Sequence, residues 1–139
     1  MSTDRSSALA RLREEIQGPP FHQLLRPEAI DADPASGTVI IRLAFRSELA
    51  RAEGDNALHG GVVASLIDLA GHAAVAVKIG RKAPTIDLRI DYLRPAEGDS
   101  LIAHAKLLKA GRTVARVDID VRDTRDRTVA LGRGTFSTA

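Results

Sequence analysis

The sequence predicts an α+β domain in which an antiparallel sheet curves around one long helix. Three observations support this: an apolar stretch at 59–78 that ends at Gly80, alternating apolar and polar runs on both sides of it, and short polar turns between the later runs. A long apolar segment closed by glycine is typical of a buried helix. Short turns favour antiparallel neighbours. The length of 139 residues suits one domain.

The predicted elements follow in a simple order. Residues 5–17 have the pattern of an amphipathic helix closed by a Gly-Pro-Pro sequence, with one further helical turn after it. Residues 38–45 alternate as a strand does. Four more strands are predicted after the central helix, at 85–93, 101–109, 113–121 and 128–136. We therefore expect an N-terminal helix and connecting segment over 1–35, and a single domain over 36–139.

Composition excludes several classes of function. The chain has no cysteine, so disulfides, thiolate metal sites and a cysteine nucleophile are ruled out. Aromatic residues make up 3%, which argues against a base-stacking nucleic-acid platform, and the mild net charge of +2 carries little weight for nucleic-acid binding. The four histidines lack metal-ligand spacing, so no metal is expected. No window of 18 apolar residues and no secretion signal is present, which predicts a cytoplasmic protein without a membrane span.

The most informative segment is 58–68, where two glycines stand at the mouth of the central helix and a carboxylate lies within it. The N-terminus of a helix presents unpaired N–H groups that attract oxyanions and polarised carbonyls. Gly60 and Gly61 allow a ligand to approach the backbone closely. Asp68 needs a partner or a chemical role in its apolar surroundings. Together these groups are the minimal parts for acyl transfer.

The spacing of these groups indicates that two subunits contribute to the site. His59 and Asp68 are nine positions apart, which places them on opposite sides of a helix and separates them by roughly 13 Å along its axis. The face around Asp68 carries mostly small residues, which allows close approach of another element: Gly61, Ala64, Ser65, Gly71, His72 and Val75. A symmetric dimer is the natural candidate.

Three segments in order resemble the PaaI-like (phenylacetate-pathway type) acyl-CoA thioesterases of the hotdog fold. The first is Leu-His-Gly-Gly at 58–61 followed by Ser-Leu-Ile-Asp at 65–68. The second is the strand at 85–96 that ends in an aromatic residue, two further residues and Pro-Ala, and the third is the hairpin at 107–115. The resemblance covers roughly 36–138 and implies the hotdog fold.

The resemblance also implies roles for particular residues. Gly61 would donate its backbone N–H to the thioester carbonyl, with Gly60 beside it in substrate binding. Asp68 of the partner subunit would act as nucleophile or as general base on water, and Thr85 would orient that water. His59 would position the thiolate end or the loop. The implied substrate is an acyl-CoA with an aromatic or medium-chain acyl group, hydrolysed without a cofactor by a homodimer or a dimer of dimers.

One departure concerns the loop before the helix. Similar enzymes commonly carry Asn or Gln six residues before the histidine of this motif, and this chain carries Glu53. Asn56 lies three residues later and could replace that amide only with a rearranged loop. Both residues are expected on the substrate-binding side.

Two other functions remain open from the sequence. A non-catalytic module that binds or senses acyl-CoA would keep the glycine pair without needing Asp68. A hotdog hydratase would need an Asp–His pair acting on one substrate carbon, and His72 lies one turn after Asp68 on the same face. We expect His72 to line the pocket or the dimer interface rather than transfer protons.

Overall fold

The computed structural model describes residues 2–139, and side chains from residue 4 onward. These residues form three helices: α1 (Ser2–Gln17), α2 (Pro20–Leu25) and α3 (Gly60–Ile79). Within the same range the six strands are β1 (Glu28–Asp33), β2 (Thr38–Ala44), β3 (Thr85–Tyr92), β4 (Ser100–Ala110), β5 (Val114–Arg122) and β6 (Thr128–Ser137). A short 3-10 turn, Ser47–Leu49, lies between β2 and α3.

The strands form one antiparallel sheet in the order β1-β2-β4-β5-β6-β3. Helix α3 contacts β2 to β6, so the sheet wraps around it. This arrangement confirms the predicted hotdog fold with an additional N-terminal helix.

Alternating residues of the strands face α3 and form the core. In β5 the buried positions are Ala115, Val117, Ile119 and Val121, and the residues between them are more exposed. By length and mean hydropathy (1.7), α3 is apolar enough to cross a membrane. Most of its apolar side chains are buried inside the sheet, which accounts for that composition in a core helix.

Both ends of α3 follow from local sequence. His59 caps the first turn, and Gly80 ends the helix in the left-handed region at φ 75°, a conformation that glycine adopts without strain. Gly71 and Val75 were expected on the open face beside Asp68, but both are buried. A Cβ on Gly71 would lie 2.6 Å from the Phe136 ring, so glycine is required for that close packing.

Strand β1 was not predicted from the sequence. Its six residues, EAIDAD, include three acidic side chains, and only Ala32 is buried. Helix α1 packs against β1 and α3 through Ala8, Leu12 and Ile16. Arg5 of α1 also forms ion pairs with Asp31 and Asp33. The strand depends on this tertiary cover, which a local alternation pattern does not reveal.

Strand β3 forms the open edge of the sheet. It pairs only with β6, whereas β1 at the opposite edge has α1 against it. Three large apolar side chains at this edge are more than half exposed: Ile86, Tyr92 and Leu93. An unpaired edge with exposed apolar residues favours pairing with another strand.

Candidate active site

The mouth of α3 holds His59, Gly60 and Gly61, all exposed. His59 lies at the N-cap position with φ −58° and ψ 139°, and its Nδ1 accepts a hydrogen bond of 2.8 Å from the Gly61 amide. That bond satisfies one of the donors that a helix start leaves open. The Gly61 amide, expected to bind the thioester carbonyl, is therefore occupied by the ring of His59.

The Gly60 amide has no hydrogen-bond acceptor in the described part of the chain. Its carbonyl accepts a 2.8 Å hydrogen bond from the hydroxyl of Tyr92. The Tyr92 ring lies close to Gly60, since a Cβ there would be 3.7 Å from it. Tyr92 thus fixes the first turn of α3 while leaving the Gly60 N–H open.

Asp68 is half-buried on α3, and Thr85 is the first residue of β3. The hydroxyl of Thr85 donates a 2.6 Å hydrogen bond to Oδ1 of Asp68. This contact orients the carboxylate, because one oxygen is held while the other has no hydrogen bond within residues 4–139. The structure thus brings together the two residues that were predicted to act near the attacking atom.

The two halves of the site do not meet within one chain. Gly60 and Asp68 are eight positions apart on α3, a separation of about 12 Å along the helix. A single protomer therefore presents a donor end and a carboxylate end as separate surfaces, which agrees with the spacing argument.

Glu53 and Asn56 lie in the exposed segment before α3. This segment is held by Asp55, whose Oδ2 accepts from Arg51 at 2.5 Å and whose Oδ1 accepts from the Ala57 amide at 3.2 Å. Neither Glu53 nor Asn56 bonds to Asp68 or to the glycine pair among the described residues. Their expected part in substrate binding stays a prediction.

His72 lies one turn after Asp68 but turns toward the N-terminal helix. Its Nε2 accepts a 3.2 Å hydrogen bond from the Ala83 amide, and its Nδ1 lies 4.0 Å from Oε2 of Glu15. Burial is the main effect that lowers the pKa of His72. One ring nitrogen is thus bonded to the backbone and the other faces Glu15 rather than Asp68, which is unfavourable for a hydratase Asp–His pair.

A cavity of about 300 Å³ lies beside the mouth of α3. Its lining includes Gly60, Tyr92 and two arginines, Arg51 and Arg94. A larger cavity of about 680 Å³ is lined by residues of β2 to β6, many of them charged, and neither glycine of the pair lines it. In the described part of the chain, no group of three His, Asp or Glu side chains is arranged to hold a metal ion.

Sequence reasoning missed two residues of this site. Tyr92 was noted only as the aromatic end of a strand, and its bond to Gly60 depends on how β3 passes the mouth of α3. Glu15 lies within the predicted helix 5–17 and was given no role, yet it is buried. A carboxylate at the same helical face as Leu12 and Ile16 was the available signal.

A long helix wrapped by an antiparallel sheet, with a glycine pair at its mouth and a carboxylate within it, defines a hotdog-fold protein. A model of the thioesterase superfamily matches residues 55–130. The chain belongs to this superfamily and is a thioester hydrolase.

Relatives and solved structures agree with this assignment. A protein of Halobacterium salinarum, named as a candidate esterase, is 36% identical over 127 residues, which cover 83% of each chain. The medium/long-chain acyl-CoA thioesterase YigI of Escherichia coli is 34% identical over 94 residues, which cover 57% of this chain and 61% of YigI. The E. coli PaaI protein of the phenylacetic acid degradation operon has a similar structure, with TM-score 0.83 and 26% identity, covering 96% of this chain and 94% of PaaI.

Proposed function

We propose that the protein hydrolyses acyl-CoA thioesters to a free acid and CoA at a site shared by two subunits. The observation that carries this proposal is the hydrogen bond between Thr85 and Asp68, which holds a half-buried carboxylate on an otherwise apolar helix. The acyl group is aromatic or medium-chain: PaaI comes from a phenylacetic acid degradation operon, and YigI is named a medium/long-chain acyl-CoA thioesterase. No cofactor takes part, because a carboxylate, backbone amides and water suffice for the reaction.

The mouth of α3 polarises the thioester carbonyl. Its open Gly60 amide adds to the positive end of the helix dipole, which stabilises negative charge on the carbonyl oxygen. The Gly61 amide joins it when the His59 ring turns away and gives up its bond. His59 is thus both the cap of the free site and a residue that substrate displaces.

Asp68 supplies the attacking group in one of two ways. Its carboxylate oxygen attacks the thioester carbon directly, or it accepts a proton from a water that attacks. In either route the C–S bond breaks, the CoA thiolate leaves and takes up a proton, and the acyl group ends as a free acid after addition of water. Thr85 keeps the carboxylate oriented in both routes.

The site forms where α3 and β3 of two copies meet. Support comes from the open β3 edge with exposed Ile86 and Tyr92, and from the small residues Ala64 and Ser65 on the face of Asp68. A two-fold axis there places Gly60 of one copy near Asp68 of the other. A dimer of dimers is a further expectation.

The cavity beside Gly60 is proposed to receive the CoA part of the substrate. Arg94 lines it and forms no ion pair within the described residues, so its guanidinium is available to a phosphate. Arg51 lines the same cavity but is paired with Asp55.

Free-thiol release from phenylacetyl-, benzoyl-, hexanoyl- and decanoyl-CoA tests the proposal, with wild type beside Asp68→Asn. We expect turnover of at least one substrate and a loss of about 100-fold or more in the variant, as removal of a reacting group typically costs. Thr85→Ser should keep most activity, and Thr85→Val should lose it in part. Binding of every acyl-CoA without turnover would contradict hydrolysis and favour a sensing module.

A further inference from the structure

Beneath the proposed site, His72 connects α3 to the loop that precedes β3. Its Nε2 accepts the Ala83 N–H at 3.2 Å. A neutral imidazole carries one proton, so an accepting Nε2 places that proton on Nδ1. Nδ1 faces Glu15 at 4.0 Å. The ring is therefore hydrogen-bonded to a backbone amide on one side and faces a carboxylate on the other.

Glu15 is a buried carboxylate of α1 with one oxygen unmatched. Glu15 is 6% exposed, and its Oε1 forms an ion pair of 2.7 Å with the Arg11 guanidinium. Within the described part of the chain, buried Oε2 has no hydrogen-bond partner, although His72 and the Lys82 ammonium lie at 4.0 and 3.9 Å from it. A buried acceptor left without a hydrogen bond is costly. Its negative charge favours the tautomer that carries the proton on Nδ1.

The same histidine bond acts on Thr85. Ala83 is fully buried and lies two residues before Thr85, where β3 begins. Fixing the Ala83 amide to α3 fixes the start of β3 against that helix. The Thr85 hydroxyl then reaches Asp68 at 2.6 Å. A series of residues thus leads from α1 to Asp68: Glu15 lies 4.0 Å from His72, and hydrogen bonds join His72 to Ala83 and Thr85 to Asp68.

We propose that Glu15 and His72 are positioning residues: with Ala83 they form a bracket that holds Thr85 against Asp68. The catalytic effect of the bracket rests on the proposed function. Its effect on the position of the loop before β3 does not. It gives the N-terminal helix a part in the site although no residue of α1 touches the substrate.

Protonation of His72 opens the bracket, because a charged imidazole donates from both nitrogens and cannot accept the Ala83 N–H. The groups that face the ring are Glu15 from α1, His22 from α2, Asp68 on α3 and Lys82 from the loop. Burial lowers the pKa of His72 most; Lys82 and His22 lower it further, against Glu15 and Asp68. The bracket is therefore closed at neutral pH and is lost as the pH falls through this lowered pKa.

The test compares His72→Gln with His72→Leu and Glu15→Gln in the full chain. Glutamine can place its side-chain oxygen where Nε2 lies and does not titrate, whereas leucine fills space without an acceptor. Two readouts are measured between about pH 5 and 8: amide hydrogen exchange over residues 80–86, and kcat and KM on the best acyl-CoA substrate. Circular dichroism and the unfolding midpoint show that each variant is folded.

We expect His72→Leu to speed exchange at Ala83 and to lower kcat about tenfold, the effect of one lost hydrogen bond, with KM changed less. His72→Gln should keep the exchange rate and kcat near the wild-type values at neutral pH. Wild-type exchange should rise in acid as His72 is protonated, and His72→Gln should lack that rise. Glu15→Gln should raise exchange at Ala83 in a folded protein. Wild-type exchange and kcat in folded His72→Leu would overturn the bracket. If no thioester were turned over, the proposed function would be wrong, but the bracket would still be tested, because amide hydrogen exchange is measured without substrate.

Discussion

At the residue scale, the two glycine amides at the start of α3 differ in whether they are free to donate a hydrogen bond to the thioester carbonyl. The two glycines look equivalent in the sequence, but the structure separates them. The Gly61 N–H is bonded to His59, and the Gly60 N–H has no acceptor among the described residues. The difference comes from the cap, because a histidine at this position can bend its ring back onto the helix.

Gly60→Pro tests this assignment by removing one hydrogen-bond donor. Gly60 is the first helical residue, a position where proline is tolerated, and His59 precedes it with ψ 139°, as a residue before proline should. We expect a folded protein that loses about 10²–10³ in kcat, as loss of one oxyanion donor typically costs. Steady-state kinetics on the best acyl-CoA measure it.

Gly60→Ala is the matched control, because it keeps the N–H and adds a Cβ in ordinary contact with Tyr92, at 3.7 Å. It should retain far more activity than the proline variant. Equal losses in the two variants would show that space at Gly60 matters rather than its amide.

Arg94 offers a test of where the CoA phosphates bind. We expect Arg94→Ala to raise KM for an acyl-CoA about tenfold, the effect of one charge-assisted hydrogen bond. The same variant should leave the kinetics of the matching acyl-pantetheine unchanged, since that substrate lacks the phosphates. An equal effect on both substrates would place Arg94 away from the phosphates.

At the element scale, the long helix and five of the six strands in the described residues could be predicted, because their apolar pattern is local. The hydrophobic period of β5 and the glycine end of α3 needed no tertiary information. Strand β1 could not be predicted, since its acidic sequence becomes a strand only beneath α1. The Glu15–His72 contact is equally non-local, as it joins residues from two helices that sequence places 57 positions apart.

The packing of α3 also depends on one residue without a side chain. Gly71→Ala would place a Cβ 2.6 Å from the Phe136 ring and 3.2 Å from Ile119. We expect a loss of about 1–3 kcal/mol in the free energy of unfolding, typical of an overpacked core. Denaturant titration measures it, with Gly60→Ala as a variant expected to stay near wild type. Equal stability of the two would mean that Phe136 moves aside at little cost.

The β5–β6 turn carries a pH-dependent contribution to stability. The Asp123 carboxylate is buried. It accepts hydrogen bonds from the backbone amides of Arg125 and Arg127 and from the guanidinium of Arg127. Burial would raise the pKa of Asp123, but these hydrogen bonds outweigh it and lower the pKa. The folded state thus favours the carboxylate, so its contribution is present above the ordinary aspartate pKa of about 3.9 and is lost as the pH falls below it.

Asp123→Asn should destabilise the protein at pH 7 and flatten the decline in its unfolding free energy in acid. Asp126→Asn is the control, because its ion pair with Arg122 is exposed and worth little. Urea titrations between about pH 2 and 7 measure both. A wild-type acid profile in Asp123→Asn would show that this turn does not titrate in the relevant range.

At the scale of the whole molecule, the open β3 edge and the separation of Gly60 from Asp68 lead to one requirement. If hydrolysis needs both the Gly60 amide and the Asp68 carboxylate at one substrate, a second copy of the chain must supply one of these two groups. An exposed edge with Ile86 and Tyr92 gives that copy a place to pair. Ile86→Asp should therefore weaken the proposed dimer and lower specific activity in proportion to the dimer fraction, as measured by light scattering beside kinetics.

Complementation distinguishes a shared site from two sites that are each complete within one subunit. Asp68→Asn and Gly60→Pro chains, each inactive alone, are co-expressed with different tags and the mixed dimer is purified. In a shared site, the mixed dimer contains one site with a native Gly60 and a native Asp68, and one that carries both defects. We expect about half of the wild-type kcat per dimer. If each subunit used its own Gly60 and Asp68, both sites would carry one defect and the mixed dimer would be as inactive as its parents.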